Sequence, residues 1–425
     1  MAVIRPFRGL RYTAEAGPID ALTAPPYDVL TPAQRDEYAV RNKHNVVYLT
    51  LPESEPDDRS KYIKYARSKA RLEEWRRDGS LVAESRPALY RYTQNFSAHR
   101  PEHNYTRTAI IALIKVEPYA NGVVLPHEET FPKHKEDRLR ILEATRTHLE
   151  CIFGLYEDPA GEILKTINAA PAAERVETRS DEGVSHVLEP ITDEATINQL
   201  VNLMADKKVW IADGHHRYET ALAFREALGP RDGPVAEDYM MMALTSMSDP
   251  GLVLHPTHRV LRSSALGRTT ILERLANLFH IHETHSTRVM EMLEAERRQG
   301  RRALGAVFEG GLGYVLTPKD DASLLGLINT DDSQALKSLD VSVLHRVMLE
   351  QALGVQSLDD ITYTRDYQEA IRMADEGAAV SFLMTPPTVD DMKEIALNGE
   401  KMPQKSTYYF PKILSGLVIW SLNDF

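Results

Sequence analysis

A single cysteine, Cys151, stands in a chain of 425 residues. One thiol can neither close an intramolecular disulfide nor furnish a thiolate metal cluster. It lies in the apolar run Cys151-Ile152-Phe153-Gly154-Leu155-Tyr156, where its expected role is that of a small buried hydrophobe. Positive charge is also short: 50 Lys and Arg against 62 Asp and Glu leave a net charge of −12. Non-specific nucleic-acid binding depends on neutralising phosphates, so nucleic acid is not the expected partner and any positive site must be local. No apolar run approaches the length of a bilayer span, so no membrane partner is expected. Met1-Ala2-Val3-Ile4-Arg5-Pro6 lacks a basic-then-apolar leader, and a cytoplasmic location is the expectation. The P-loop cradle and the GxGxxG fingerprint are both absent, so a bound nucleotide would need another architecture. The sequence shows no internal repeats, heptads or low-complexity tracts.

What is present is a globular composition, 43% hydrophobic and 26% charged, in a chain long enough for two or three domains. Strand and helix patterns alternate. Asn45 to Leu51 reads as a buried strand, and residues 59 to 78 read as an amphipathic helix stopping at Asp78-Gly79. Strands at Ala88–Gln94 and Thr108–Val116, joined by a polar turn, suit a hairpin. A helix carrying Leu139 and Leu142, another from about Asp193 to Ala205, and a methionine-rich core strand over Asp238–Met247 follow. The last third reads as helices near 269–279, 286–299, 341–352 and 389–398, with strands at 303–308, 313–316 and 379–384.

Three polar clusters carry chemistry. The first is Val209-Trp210-Ile211-Ala212-Asp213-Gly214-His215-His216-Arg217-Tyr218, a buried strand turning through Asp-Gly into a helix. A helix N-terminus offers unpaired N–H groups and a positive dipole end to an anion, and Arg217 adds a planar fork suited to phosphate. A helix cap needs one polar residue, whereas this turn has four: Asp213, His215, His216 and Arg217. The second cluster is Leu125-Pro126-His127-Glu128-Glu129-Thr130, a loop whose carboxylates can act as general base, metal ligand or plain solvated charge. Pro126 and Pro132 deny it the helical spacing of a zincin. The third is Lys405-Ser406-Thr407 in the closing stretch, where a lysine and paired hydroxyls suit phosphate. His258-Arg259 repeats the His216-Arg217 pair beside a predicted strand end, which suggests two walls of one anionic pocket. Asp28 is expected to serve a turn or to cap the segment at Thr31-Pro32.

Ile211-Ala212-Asp213-Gly214-His215-His216-Arg217-Tyr218 resembles the signature of the ParB/sulfiredoxin-like superfamily, and within it the proteins that phosphorylate free serine. The wider chain resembles the bacterial family known as domain of unknown function 1015. The matching strings are Pro-Phe-Arg-Gly (6–9), Pro-Pro-Tyr-Asp (25–28), His-Glu-Glu-Thr (127–130), Asp-Arg-Leu (137–139), Asp-Gly-His-His-Arg-Tyr (213–218), Pro-Thr-His-Arg-Val (256–260) and Met-Pro-Gln-Lys-Ser-Thr-Tyr (402–408). The resemblance implies an α/β protein with a ParB/sulfiredoxin-like mixed core over 120–265, flanked by α/β regions at 1–119 and 266–425.

The resemblance also implies a kinase that transfers phosphate from ATP or ADP, with Mg²⁺, to free L-serine or a similar small amino acid. Asp213, His215, His216 and Arg217 then fall on the phosphate and metal side, with Asp213 the Mg²⁺ ligand. Glu128 takes the place of the base, with Glu129 the adjacent candidate. Asp28, Arg138, His258, Arg259, Lys405, Ser406 and Thr407 become candidates for binding substrate or nucleotide. A long insertion between the His-Glu loop and the Asp-Gly-His-His-Arg turn separates this chain from those kinases. A metal-dependent nucleotide or phosphate-ester hydrolase and a non-catalytic, nucleotide-switched binding module stay open as alternatives, as does a homodimer.

Overall fold

The computed structural model describes residues 1–98, 100–130, 132–172, 174–355 and 357–425. The chain divides into two compact units. The first comprises residues 1–126, 130–253 and 411–425, and the second comprises 127–129 and 254–410. These units do not follow the three regions expected from the sequence. Strands from 1–119 and from 120–265 share one sheet, and the closing stretch 411–425 returns to the same unit.

The first unit is built on nine strands: β1 (Ile4–Arg5), β2 (Leu89–Ala98), β3 (Arg100–Lys115), β4 (Val124–Leu125), β5 (Ile152–Tyr156), β6 (Val176–Arg179), β7 (Ser185–Ile191), β8 (Val209–Asp213) and β9 (Tyr239–Ser246). They lie in the order β4-β8-β5-β9-β3-β2-β7-β6, with β1 paired to β3. Pairing is parallel at β4–β8 and β5–β9, and antiparallel in the other pairs. The expected hairpin is β2–β3, whose polar turn includes residue 99, outside the described residues. Six helices accompany the sheet: α1 (Pro32–Arg41), α2 (Ile63–Arg77), α3 (Pro132–Thr145), α4 (Glu162–Ala169), α5 (Glu194–Met204) and α6 (His215–Ala227).

Alternation along the strands sets the core. Ile110, Ala112 and Ile114 of β3 and Met240, Met242 and Leu244 of β9 point to one face, at the two-residue period of a strand. That face packs against Ile163 and Ile167 of α4, Leu200 and Met204 of α5, and Tyr218 and Ala221 of α6. All eight residues of β9 are buried, so the methionine-rich run is core as expected. Cys151 is buried too, directly ahead of β5. A second apolar cluster joins Tyr38 of α1, Leu72 and Trp75 of α2 and Ile141 of α3.

The strand expected over Asn45–Leu51 is instead one helical turn, Val47–Thr50. The Asn45 side chain turns the chain: its Oδ1 accepts from Val47 N (3.0 Å) and its Nδ2 donates to Ala21 O (2.8 Å). Val46, Val47 and Leu49 are buried all the same. A short apolar run reports burial, and periodicity alone does not say whether a helix or a strand delivers it.

The second unit carries a six-stranded antiparallel sheet: β10 (His258–Leu261), β11 (Phe279–His285), β12 (Leu304–Phe308), β13 (Leu312–Pro318), β14 (Ile361–Thr364) and β15 (Val380–Leu383), ordered β11-β13-β12-β15-β10-β14. Helices α7 (Arg268–Ala276), α8 (Val289–Arg298), α9 (Tyr367–Asp375) and α10 (Val389–Leu397) accompany it, with a π-helical stretch over Val343–Ala352. His258 and Arg259 open β10 rather than end a strand, because Pro256-Thr257 interrupts the run before them. The expected mixed α/β class is what both units show.

Candidate functional site

In the first unit β8 delivers the chain through Gly214 into α6. Gly214 has φ +94°, a left-handed angle that suits glycine, and a Cβ there would stand 3.0–3.2 Å from the Arg217 guanidinium. The missing side chain therefore both makes the turn and lets Arg217 fold back over it. Asp213, the last residue of β8, meets two cations. Its Oδ1 accepts from Lys412 Nζ at 2.7 Å, and its Oδ2 faces Arg217 Nη2 at 3.4 Å. Lys412, Asp213 and Arg217 side chains are 13%, 18% and 10% exposed, so these charges are largely withdrawn from water. The N-terminus of α6 carries the positive end of the helix dipole. His215 is buried, and the His216 carbonyl accepts from Thr220 Oγ1 at 2.7 Å, inside the first turns.

Arg217 is the hub. Its Nη1 donates to Cys151 O at 2.7 Å, and among the described residues its buried Nε has no hydrogen-bond partner. Burial alone would lower its pKa, yet Glu150, Asp28 and Asp213 outweigh that and hold it above the ordinary arginine value. Glu150, buried, accepts from Tyr27 N at 2.9 Å and Ser415 Oγ at 3.0 Å. The Tyr27 ring lies 3.9 Å from the Arg138 guanidinium carbon and 5.9 Å from that of Arg217. Arg138 is buried, donates to Thr50 O at 2.8 Å, and pairs with Asp137. Burial pushes the Asp137 carboxyl up, but Arg138, Tyr65 and Lys64 bring it well below the usual carboxylate range. Asp28 is exposed beside Tyr27 and does not cap α1. Thr31 takes that part, in a capping box with Gln34.

The second unit gathers a different group. The Glu128 carboxylate accepts the Lys405 N–H at 2.9 Å, and His127 Nε2 meets Thr407 Oγ1 at 2.8 Å. Met402 N donates to His127 O at 2.7 Å, so the His-Glu loop and the closing loop run together as a short ladder. Lys405 holds a left-handed φ of +54°, uncommon for a side-chain-bearing residue, and its Nζ lies 5.7 Å from the Tyr363 ring. Ser406 is buried and donates to Pro403 O. Arg259 is buried and binds the same loop through Gln404 O (3.3 Å) and Lys405 O (3.2 Å), and also Thr257 O. Glu129 is exposed.

The structure thus brings together Asp213 with Arg217, and Glu128 with Lys405 and, through His127, Thr407. The two sets belong to different units. His216-Arg217 belongs to the first unit and His258-Arg259 to the second. His258 is fully buried and its Nδ1 accepts from Met384 N at 3.3 Å. Burial and the neighbouring Arg259 push its pKa down to about 3, so it stands neutral and offers an anion no charge. Burial likewise lowers the Arg259 pKa, to about 10, and its guanidinium is taken up by backbone carbonyls.

Sequence reasoning missed three participants. Lys412 closes the same stretch as Lys405, after Tyr408-Tyr409-Phe410-Pro411 and away from the paired hydroxyls. Its position is set by buried polar groups: Gln94 Nε2 donates to Lys412 O at 2.9 Å, and Arg107 binds Gln94 Oε1 at 3.0 Å and Pro411 O. Glu150 gave a signal that was passed over, a lone acid directly ahead of an apolar strand. Tyr27 stood inside the Pro-Pro-Tyr-Asp string. Among the described residues, no cluster of three or more His, Cys, Asp or Glu suits a metal ion.

No helix among the described residues is long and apolar enough to cross a membrane. No curated protein matches the chain. Among solved structures, a conserved hypothetical protein from Pyrococcus furiosus is similar with a TM-score of 0.36 and 14% identity, over 74% of this chain and 96% of that one. A free serine kinase in complex with ADP gives 0.35 and 13%, over 70% and 87%. SbnI with a C-terminal truncation, from Staphylococcus aureus, gives 0.34 and 11%, over 72% and 86%. In sequence, the family model described as "Protein of unknown function (DUF1015)" matches residues 4–342, and the chain belongs to that family.

Proposed function

We propose that the protein is a nucleotide-dependent phosphotransferase that converts free L-serine to O-phosphoserine. The observation that carries the reading is one carboxylate, Asp213, held by two cations at the start of α6, with Lys412 at 2.7 Å and Arg217 at 3.4 Å. Such a set supports phosphoryl transfer because that reaction needs positioned positive charge around the transferred group more than it needs covalent help. Arg217 is kept charged by its surroundings, and the α6 dipole adds a fixed positive end. Asp213 would hold Mg²⁺ through a carboxylate oxygen. One or two carboxylates together with substrate phosphates is the usual way a protein binds that ion, so a single acid fits. With Asp213 so engaged, Lys412 and Arg217 would turn to phosphate oxygens.

The likeness of the Asp-Gly-His-His-Arg and His-Glu-Glu-Thr strings to those of free-serine kinases gives Glu128 the part of base. The Lys405 N–H fixes one of its oxygens, which orients the carboxylate. In the reaction the serine hydroxyl oxygen bonds to phosphorus, the bond from phosphorus to the nucleotide's bridging oxygen breaks, and the hydroxyl proton passes to Glu128. The test is nucleotide turnover with and without L-serine, with detection of O-phosphoserine. Glu128→Gln is expected to lower phosphoserine formation by about 10²–10⁴-fold while nucleotide binding stays intact. Turnover that ignores serine and yields no phosphoserine would replace this reading with a hydrolase.

A further inference from the structure

Arg259, the second residue of β10, is buried, yet among the described residues its guanidinium forms no ion pair. Burying a cation without a counter-ion is costly unless its hydrogen bonds offset the loss of water. Its donors go to the backbone: Nη1 to Thr257 O, and Nη2 to Gln404 O at 3.3 Å and to Lys405 O at 3.2 Å. The Gln404 carbonyl and the Lys405 N–H are the two ends of one peptide unit. Such a unit is planar and trans, so its C=O and its N–H point in opposite directions. Arg259 holds the oxygen end, and the Glu128 carboxylate accepts from the N–H end at 2.9 Å. A guanidinium and a carboxylate thus face each other across a single peptide. Turning that peptide over would aim a carbonyl oxygen at Glu128 in place of a donor. Lys405 also holds its left-handed φ of +54°, a value that persists in a residue with a side chain where the surroundings impose it. Arg259 imposes it from both sides, through the carbonyl before the Lys405 Cα and the carbonyl after it.

We propose that Arg259 is a positioning residue for Glu128: it pins the Gln404–Lys405 peptide so that the Lys405 N–H stays on the carboxylate, an inference that rests on the reading of Glu128 as base. Arg259 touches no substrate in this role and acts through the loop alone. A hydrogen bond on the carbonyl polarises the peptide and strengthens the donor at its other end. That donor favours the ionised carboxylate, which is the form a base needs. The shape of the cation matters as much as its charge. One guanidinium nitrogen reaches Thr257 O while the other reaches both loop carbonyls, a spread that the compact ammonium of a lysine does not reproduce.

The experiment has two arms, both on the full chain, with Arg259→Lys, which keeps a cation but loses the fork. Urea unfolding comes first, and Arg259→Gln, whose amide keeps a donor toward the carbonyls, replaces a lysine variant that does not fold. The first arm is amide hydrogen exchange at Lys405, read by fragment-resolved mass spectrometry. The native amide is expected to be protected, and the variant to lose that protection by about tenfold or more. The second arm is serine-dependent phosphoserine formation. There the variant is expected to lower kcat by about 10–10²-fold, the scale of a misplaced reacting group. Placed on top of Glu128→Gln, the same substitution should cost less than about twofold, because a residue that acts through Glu128 has nothing left to position. Unchanged exchange at Lys405 would overturn the proposal, and so would an unchanged kcat. An equal loss with and without the Glu128 carboxylate would also overturn it, since a purely structural role predicts that result. Absence of phosphoserine from the native protein would instead sink the kinase reading, while the exchange arm would still decide whether Arg259 holds the N–H on Glu128.

Discussion

Replacing Lys412 with methionine keeps most of the apolar stem and removes the ammonium. In the native protein that ammonium is 2.7 Å from Asp213 Oδ1, with both side chains under a fifth exposed. A hydrogen bond between charged groups contributes about 1.5–3 kcal/mol, and leaving a largely buried carboxylate short of a partner pushes toward the upper figure. Arg217 remains at 3.4 Å and offsets part of the loss, so a destabilisation of about 2 kcal/mol is expected for Lys412→Met. Asp213→Asn removes the charge from the other end and should cost a similar amount. The double variant then reports the pair itself: once both charges are gone, the second substitution costs little, and a coupling of about 1–2 kcal/mol should appear in the cycle. Urea unfolding of the four proteins at pH 7 measures it. The phosphate-site reading adds that Lys412→Met weakens nucleotide binding about tenfold or more, since a cation facing phosphate is lost. Strict additivity of the two substitutions would refute the electrostatic coupling. Coupling without any change in nucleotide affinity would refute the phosphate role and leave a structural ion pair.

Gly214→Ala should destabilise the protein by about 1–2 kcal/mol from the left-handed φ alone, and more as the new Cβ pushes the Arg217 guanidinium aside. Chemical denaturation checks the first part, and a fall in nucleotide affinity checks the second. His186 is buried, stacked on Tyr92, and its pKa is pushed down to about 3 by burial and by Arg107. It stays neutral in the folded state, whereas the unfolded chain protonates it near pH 6.5, so the unfolded state binds the extra proton between those values. Stability should therefore fall as pH drops below about 6.5, by about 1.4 kcal/mol per pH unit for each such histidine. His186→Gln should flatten that slope by one histidine's share, and an unchanged slope would contradict a neutral buried imidazole.

Elements whose residues repeat at one clear period were legible in the sequence. The run from Tyr62 to Trp75 became α2, the methionine-rich strand became β9, and Asp193 does cap α5, accepting from Thr196 N. Val46-Val47-Tyr48-Leu49 was misread because apolar content alone decided it. The information that made it a turn of helix lies in the Asn45 amide and in its acceptors at Ala21 and Thr23, more than twenty residues away. The division of the chain was illegible for a related reason. Nothing in the composition of 127–129 or of 411–425 says that each belongs with residues far off in sequence, since membership is fixed by pairings such as Glu128 with Met402 and Ala24 with Ser415.

The site was legible to the extent that its chemistry is local. Asp213, Gly214 and Arg217 lie within one turn, and the spacing that lets Arg217 reach back over a glycine is written in four consecutive residues. What surrounds them is not local. Lys412 arrives from 199 residues away, and it is aimed by Gln94 and Arg107, a buried amide and a buried guanidinium that no surface motif would single out. Lys405 looked like the better phosphate ligand because it stands beside two hydroxyls, yet its backbone N–H is the group that works on Glu128, its side chain lies over Tyr363, and the Ser406 hydroxyl is turned onto Pro403 O. A motif names residue types, and types do not distinguish a side chain offered to a ligand from one spent on the loop that carries it. Burial and hydrogen-bond partners draw that line: Lys412 Nζ is engaged with Asp213, whereas Lys405 Nζ lies over the Tyr363 ring.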